Sequence, residues 1–143
     1  VIANQLETLA SIGLLSAPLA GPVGQLPKLE RPEGQGPVDA RARAYLHSNC
    51  SNCHRNAMGQ GPQDFRYSLS LMQTGVCNTA PLNGELGVRG ARLLTPMSPA
   101  QSLISLRMKT IAAGRMPPLG TSLVHGDGVA LIDQWISGIT ACP

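Results

Sequence analysis

NCSNCHRN, residues 49 to 56, carries two of the four cysteines of the chain and a histidine directly after the second. Four chemistries use a Cys-x-x-Cys-His run: a zinc site, a redox dithiol, a structural disulfide and covalent haem attachment. Each makes a different demand on the remaining residues.

A structural zinc site needs four ligands, usually with a second closely spaced pair. Here the other cysteines, Cys77 and Cys142, stand 65 positions apart, and His47 and His125 are single. A redox dithiol wants a strand feeding a helix whose N-terminus lowers the thiol pKa. The run instead follows a helical pattern, with no βαβ unit around it. A Cys50–Cys53 disulfide leaves His54 without a role. Haem attachment accounts for all three residues at once. Two thiols with a two-residue gap match the separation of the porphyrin vinyl groups, and the next residue falls under the iron, where imidazole is the usual proximal ligand. On this reading Cys50, Cys53 and His54 bind one covalent haem c, with His54 on the iron.

A second axial ligand is then required. The candidates are Met58, Met72, Met97, Met108, Met116, His47 and His125. Met58 lies four residues beyond His54, a reach of at most about 14 Å, too short to round the haem edge. His47 sits on the incoming helix, on the proximal side. Met108 falls in a helical pattern, where methionine fills cores, and Met72 and Met97 read as packing residues as well. Met116 stands in a loop, GRMPPLG, 62 residues after His54. Pro117 and Pro118 stiffen that loop and bring no amide hydrogens to satisfy. Met116 is the expected iron ligand, His125 the runner-up, and Pro117 is placed at the cofactor.

The bulk composition agrees with a buried cofactor. A chain of 143 residues is one domain by length. Its hydrophobic content is 43 %, yet only 3 % is aromatic, and it has 16 Gly and 12 Pro. Such a chain is loop-rich and poor in large flat side chains, and a porphyrin would supply that surface. The net charge of +3 comes from scattered Lys and Arg, with no basic run, so nucleic-acid binding has no support. No stretch approaches eighteen consecutive apolar residues, the length a membrane span requires. VIANQLETLASIGLL lacks Met and a cationic start and carries Glu7, so it reads as a chain processed or cut from something larger.

Along the chain, residues 1 to 13 read as a helix with Ile2, Leu6 and Leu9 on one face and Gly13 as the stop. PLAGPVGQLPKLERPEGQGP, residues 18 to 37, has five Pro and four Gly and reads as an extended strap. The expected division is therefore an N-terminal helix and strap over 1–37 and a monohaem domain over 38–143. In the latter, a helix should start near Asp39 as N-cap and run to Cys50. Residues 55 to 97 read as loop. Ser98, Pro99, Gln101 and Gly114 bracket a third helix. A fourth starts near Asp127, with Val129, Ile132, Ile136 and Ile139 as its stripe beside Leu131 and Trp135. No strand is expected.

CSNCH, a late RMPPLG and a closing LIDQWI resemble a class I c-type cytochrome. More narrowly, NQLETLASIGLL, ARAYLHSNCSNCH, DFRYS, CNTAPLNGELG and SLISLRM are similar to the C-terminal monohaem cytochrome module of larger bacterial exported proteins. The resemblance implies an all-α, loop-rich wrap around one haem, with the first and last helices packed together near the proximal side. It implies a proline carbonyl that accepts the proximal Nδ1–H, and Pro62 of GQGP, eight residues past His54, is the natural candidate. It implies maturation in an oxidising, periplasmic or otherwise exported compartment, where the spare Cys77 and Cys142 would pair. Arg66, Arg92, Arg107 and Arg115 are candidates to meet the haem propionates, or are solvated surface residues. The function it implies is electron transfer with His/Met ligation rather than enzymatic turnover, serving a redox partner protein or a fused dehydrogenase-type domain. The alternatives are a haem enzyme or gas- or peroxide-reactive domain whose sixth position opens, and a module in which the metal only holds the fold.

Overall fold

Val38, Ala42, Tyr45 and Leu46 recur at helical spacing, and so do Val129, Ile132, Ile136 and Ile139. Each set makes an apolar stripe that needs a partner. The computed structural model, which describes residues 3–55, 61 and 63–143, joins them. Helix α2 (Val38–Cys50) lies against helix α4 (Gly126–Gly138). Ala42, Tyr45 and Leu46 meet Leu131, Ile132, Trp135 and Ile136 in one core, closed by Phe65, Val76 and Leu94 from the connecting segments. Fully burying residues such as Ile132, Ile136 and Leu94 stabilises by about 1.5–3 kcal/mol each.

All regular structure among the described residues is helical. Besides α2 and α4 there are α1 (Gln5–Ser11), α3 (Leu103–Met108) and single 3₁₀ turns at Val23–Gln25, Met72–Thr74 and Pro99–Gln101. The long connections are laced by backbone hydrogen bonds instead of strands. Leu94 N–H donates to Val76 O at 3.1 Å, Asn78 N–H to Leu94 O at 2.8 Å and Leu103 N–H to Arg92 O at 2.8 Å. Cys77 and Cys142 are joined by a disulfide, which ties the chain after α4 to this lacework. A closed loop of that length contributes about 4 kcal/mol on the chain-entropy model.

Three helix boundaries differ from the sequence expectation. The first helix covers 5–11 and not 1–13, because the Asn4 side chain accepts the Leu6 amide at 2.9 Å and caps it there. Ile2 lies outside the described residues. Asp39 is not the cap of α2, which starts one residue earlier behind Pro37. Its carboxylate instead accepts the Trp135 indole N–H at 2.8 Å, binding α2 to α4. The third helix is broken. Ser102 is extended (φ −107°, ψ 112°) between a 3₁₀ turn and α3, since its hydroxyl donates to Ser98 O and accepts from Thr95 N. A side chain that bonds neighbouring backbone competes with the helix.

No described residue before Val38 is buried, and the strap is held to α2 by the Arg41 guanidinium on Pro32 O. Helices α2 and α4 approach each other tightly at Gly128. A Cβ there would stand 2.3 Å from the Tyr45 hydroxyl oxygen and 2.5 Å from its Cζ. Gly128→Ala should therefore destabilise by about 1–2 kcal/mol, overpacking outweighing the helix propensity gained. The urea midpoint of the matured protein reads this, and a raised midpoint would refute the close approach.

Candidate functional site

The end of α2 decides the site. Cys50 closes the helix, and its carbonyl accepts two amides, from Cys53 at 3.1 Å and from His54 at 2.9 Å. Ser51 donates its hydroxyl back to His47 O at 2.7 Å. The chain so makes one more tight turn, and residues at i, i+3 and i+4 of such a turn share a face. Cys50, Cys53 and His54 accordingly line one cavity.

That cavity has a volume of about 390 Å³, within the range of small-molecule sites, about 300–1,000 Å³. Its wall is largely apolar: Leu46, Phe65, Val76, Leu93, Leu103 and Ile104 contribute. Met116, Pro117 and Pro118 line it from the late loop, where the Met116–Pro117 peptide is cis. The two thiols and the two axial ligands expected from the sequence therefore share one apolar chamber. Pro62 and Met58 lie outside the described residues.

His54 is fixed by its neighbours. Phe65 donates its amide to His54 O at 3.0 Å, and the two rings meet edge to face with centroids 5.6 Å apart. The His54 Nδ1 atom is buried and has no hydrogen-bond partner among the described residues. Burial lowers the His54 pKa below its ordinary value, which favours the neutral imidazole that a metal requires. For Cys50, burial first and the charge of Cys53 second push the thiol up to about 12. A redox dithiol needs the opposite shift, so the geometry argues against that reading. Two free thiols placed for thioether links, and an imidazole and a thioether placed for the iron, line one apolar cavity, a set that fits a covalently held haem.

The remaining candidates divide. His125 lines the cavity, its Nδ1 3.0 Å from the Tyr45 hydroxyl and the two rings stacked. Met108 lines it too, though it also packs against the core. Met72 and Met97 are not packing residues: they are 65 % and 63 % exposed and take no part in the cavity. His47 is turned to the Tyr67 amide, 3.3 Å away. Arg107 borders the cavity, whereas Arg66, Arg92 and Arg115 do not. Arg66 holds Asp64 at 2.8 Å.

Sequence reasoning missed Tyr45, Asn49, Val76, Leu82, Asn83 and Leu93 as cavity residues. Only Tyr45 and Asn49 had a local signal, five residues and one residue before Cys50 on the same helix. The rest arrive by loop folding.

The shifted thiol has a direct consequence. In the folded, unmodified chain, iodoacetamide at pH 8 should alkylate exposed Cys53 about tenfold or more faster than Cys50, since only the thiolate reacts. Peptide mapping by mass spectrometry measures the ratio, and equal rates would contradict the lower accessibility of Cys50. No family model, no curated protein and no solved structure matches this chain, so the reading of the site rests on its own chemistry.

Proposed function

We propose that the chain is an electron-transfer module of the class I cytochrome c type, folded as a helical wrap around one covalently bound haem. The observation that carries this reading is the convergence of Cys50, Cys53, His54 and Met116 on one apolar cavity. Cys50 and Cys53 would hold the group through their sulfurs, and His54 and Met116 would take the two axial positions. When bound, the haem supplies an iron that accepts and returns one electron, and His/Met ligation raises its potential.

The chain's own part is to hold both ligands and keep water out. The turn at Cys50 fixes His54, and the prolines after Met116 stiffen its loop. Phe65, Val76 and Leu103 give the chamber apolar walls. Among its lining residues, Leu82 and Leu123 are exposed at 76 % and 82 %. Those apolar side chains, with Pro117 and Pro118, suit short-range docking of a redox partner protein or a fused dehydrogenase-type domain. The Cys77–Cys142 disulfide is compatible with an exported, periplasmic setting. No helix among the described residues is long and apolar enough to cross a membrane.

A second reading has one observation in its favour. The His125–Tyr45 pair sets acid–base groups in the cavity wall, as a haem enzyme or a gas- or peroxide-reactive domain would need if the sixth position opened.

Two measurements separate these. The denatured, matured protein should weigh one haem more than the polypeptide; a bare polypeptide mass would overturn the proposal. The reduced wild type should exchange electrons quickly with redox dyes and form no carbon monoxide adduct, whereas Met116→Ala should bind carbon monoxide and show a lower potential. Carbon monoxide binding by the wild type, with peroxide turnover lost in His125→Ala, would favour the second reading.

A further inference from the structure

Met116 is delivered to the cavity by a loop, and a loop is a poor positioner unless something pins it. The 109–115 segment leaves α3 at Met108, turns through Ala112, whose amide donates to Thr110 Oγ1 at 3.0 Å, and returns. Both strands of its neck meet at one residue. Met116 donates its amide to Arg107 O at 3.0 Å, and Arg107 Nη1 donates to Gly114 O at 2.8 Å.

The same guanidinium reaches a second segment. Arg107 Nη2 donates to Asn83 O at 2.8 Å and to Gly84 O at 3.1 Å. Asn83 and Leu82 line the cavity, as does Arg107 itself. Gly114 adopts φ +85°, and a Cβ there would strike Leu86 Cδ2 at 2.5 Å and approach Arg107 Nη1 at 3.3 Å. Two loops and α3 are thus drawn together around one cation. Among the described residues Arg107 has no carboxylate partner; its donors go to backbone carbonyls. A planar fork of donors can serve three carbonyls from two directions, which the point charge of a lysine cannot.

We infer that Arg107 is the positioning residue for Met116: it pins the neck of the methionine loop to the 81–86 loop, and so holds the thioether at the iron. The inference rests on the proposal that Met116 is an axial ligand. A methionine–iron bond is weak, so its occupancy depends on how well the loop is held in the bound geometry.

The matured, haem-containing protein is compared as wild type, Arg107→Gln, Arg107→Lys and Arg89→Gln, the last an exposed arginine used as control. Four quantities are read: the methionine–iron absorption band of the ferric form, the affinity for imidazole, amide exchange at Met116 and the urea midpoint. In Arg107→Gln the band should weaken, Met116 should exchange faster, and imidazole affinity should rise about tenfold or more, the ratio that loss of a charge-assisted hydrogen bond produces. Arg107→Lys should fall between, and it serves alone if the glutamine variant does not fold. Arg89→Gln should match the wild type.

A purely structural role would lower the urea midpoint while leaving the band and the imidazole affinity as in the wild type, and that result overturns the inference. If the wild type already binds imidazole as readily as Met116→Ala, the ligand assignment fails instead. Exchange at Met116 then still decides whether Arg107 holds the neck: unchanged protection in Arg107→Gln sinks it.

Discussion

The contact between Tyr45 and Gly128 is the one on which the rest depends. A bare hydrogen at Gly128 lets the phenol ring settle on α4, and with it α2 comes close enough to bury Ala42, Leu46, Ile132 and Ile136. The Asp39–Trp135 hydrogen bond reinforces the pair at the other end of α2. Since α2 ends in Cys50, the placement of α2 on α4 also sets where Cys50, Cys53 and His54 stand. The same tyrosine reaches His125 at the start of α4. Stability and site geometry therefore share one joint.

Around that joint the chain has little with which to build a core. Four aromatic residues serve 143 positions, and Phe65 and Trp135 are already committed to the α2–α4 layer. Tyr45, Leu46, Asn49 and Cys50 of α2 also line a chamber of about 390 Å³. Its walls are largely apolar, with Leu46, Phe65, Val76, Leu93, Leu103 and Ile104 among them. The proposed haem would lie against those walls, with the two thiols, the imidazole and the thioether that border the chamber as its attachment points and ligands.

The connecting segments do the work that strands do elsewhere. Residues 76–79, 92–94 and 101–104 hold one another by backbone hydrogen bonds, and the disulfide adds the residues after α4. The price of so many loops is that ligand placement depends on single nodes. Arg107 is such a node for the 83–84 and 114–116 segments, and Ser102 is another, turning the chain from the 3₁₀ turn into α3.

The sequence by itself determined what is local. Cys-x-x-Cys-His on a tight turn puts two thiols and an imidazole on one face whatever surrounds them, and the stripes of α2 and α4 follow from helical period alone. The Gly- and Pro-rich strap was legible for the same reason, as φ limits are a property of each residue. Tertiary structure alone decided what is long-range. Asp39 looked like a helix cap, but its carboxylate went to an indole 96 positions away. Ser98 to Gly114 read as one helix, but Ser102 found better hydrogen bonds at Thr95 and Ser98. Met72 and Met97 read as core, yet no apolar surface came to meet them. Tyr45 and His125, 80 positions apart, carry no mutual signal. Neither do Arg107 and the 83–84 carbonyls. Hydrogen bonds and apolar contacts depend on distance in space, and distance in sequence sets that only within a turn or two of a helix.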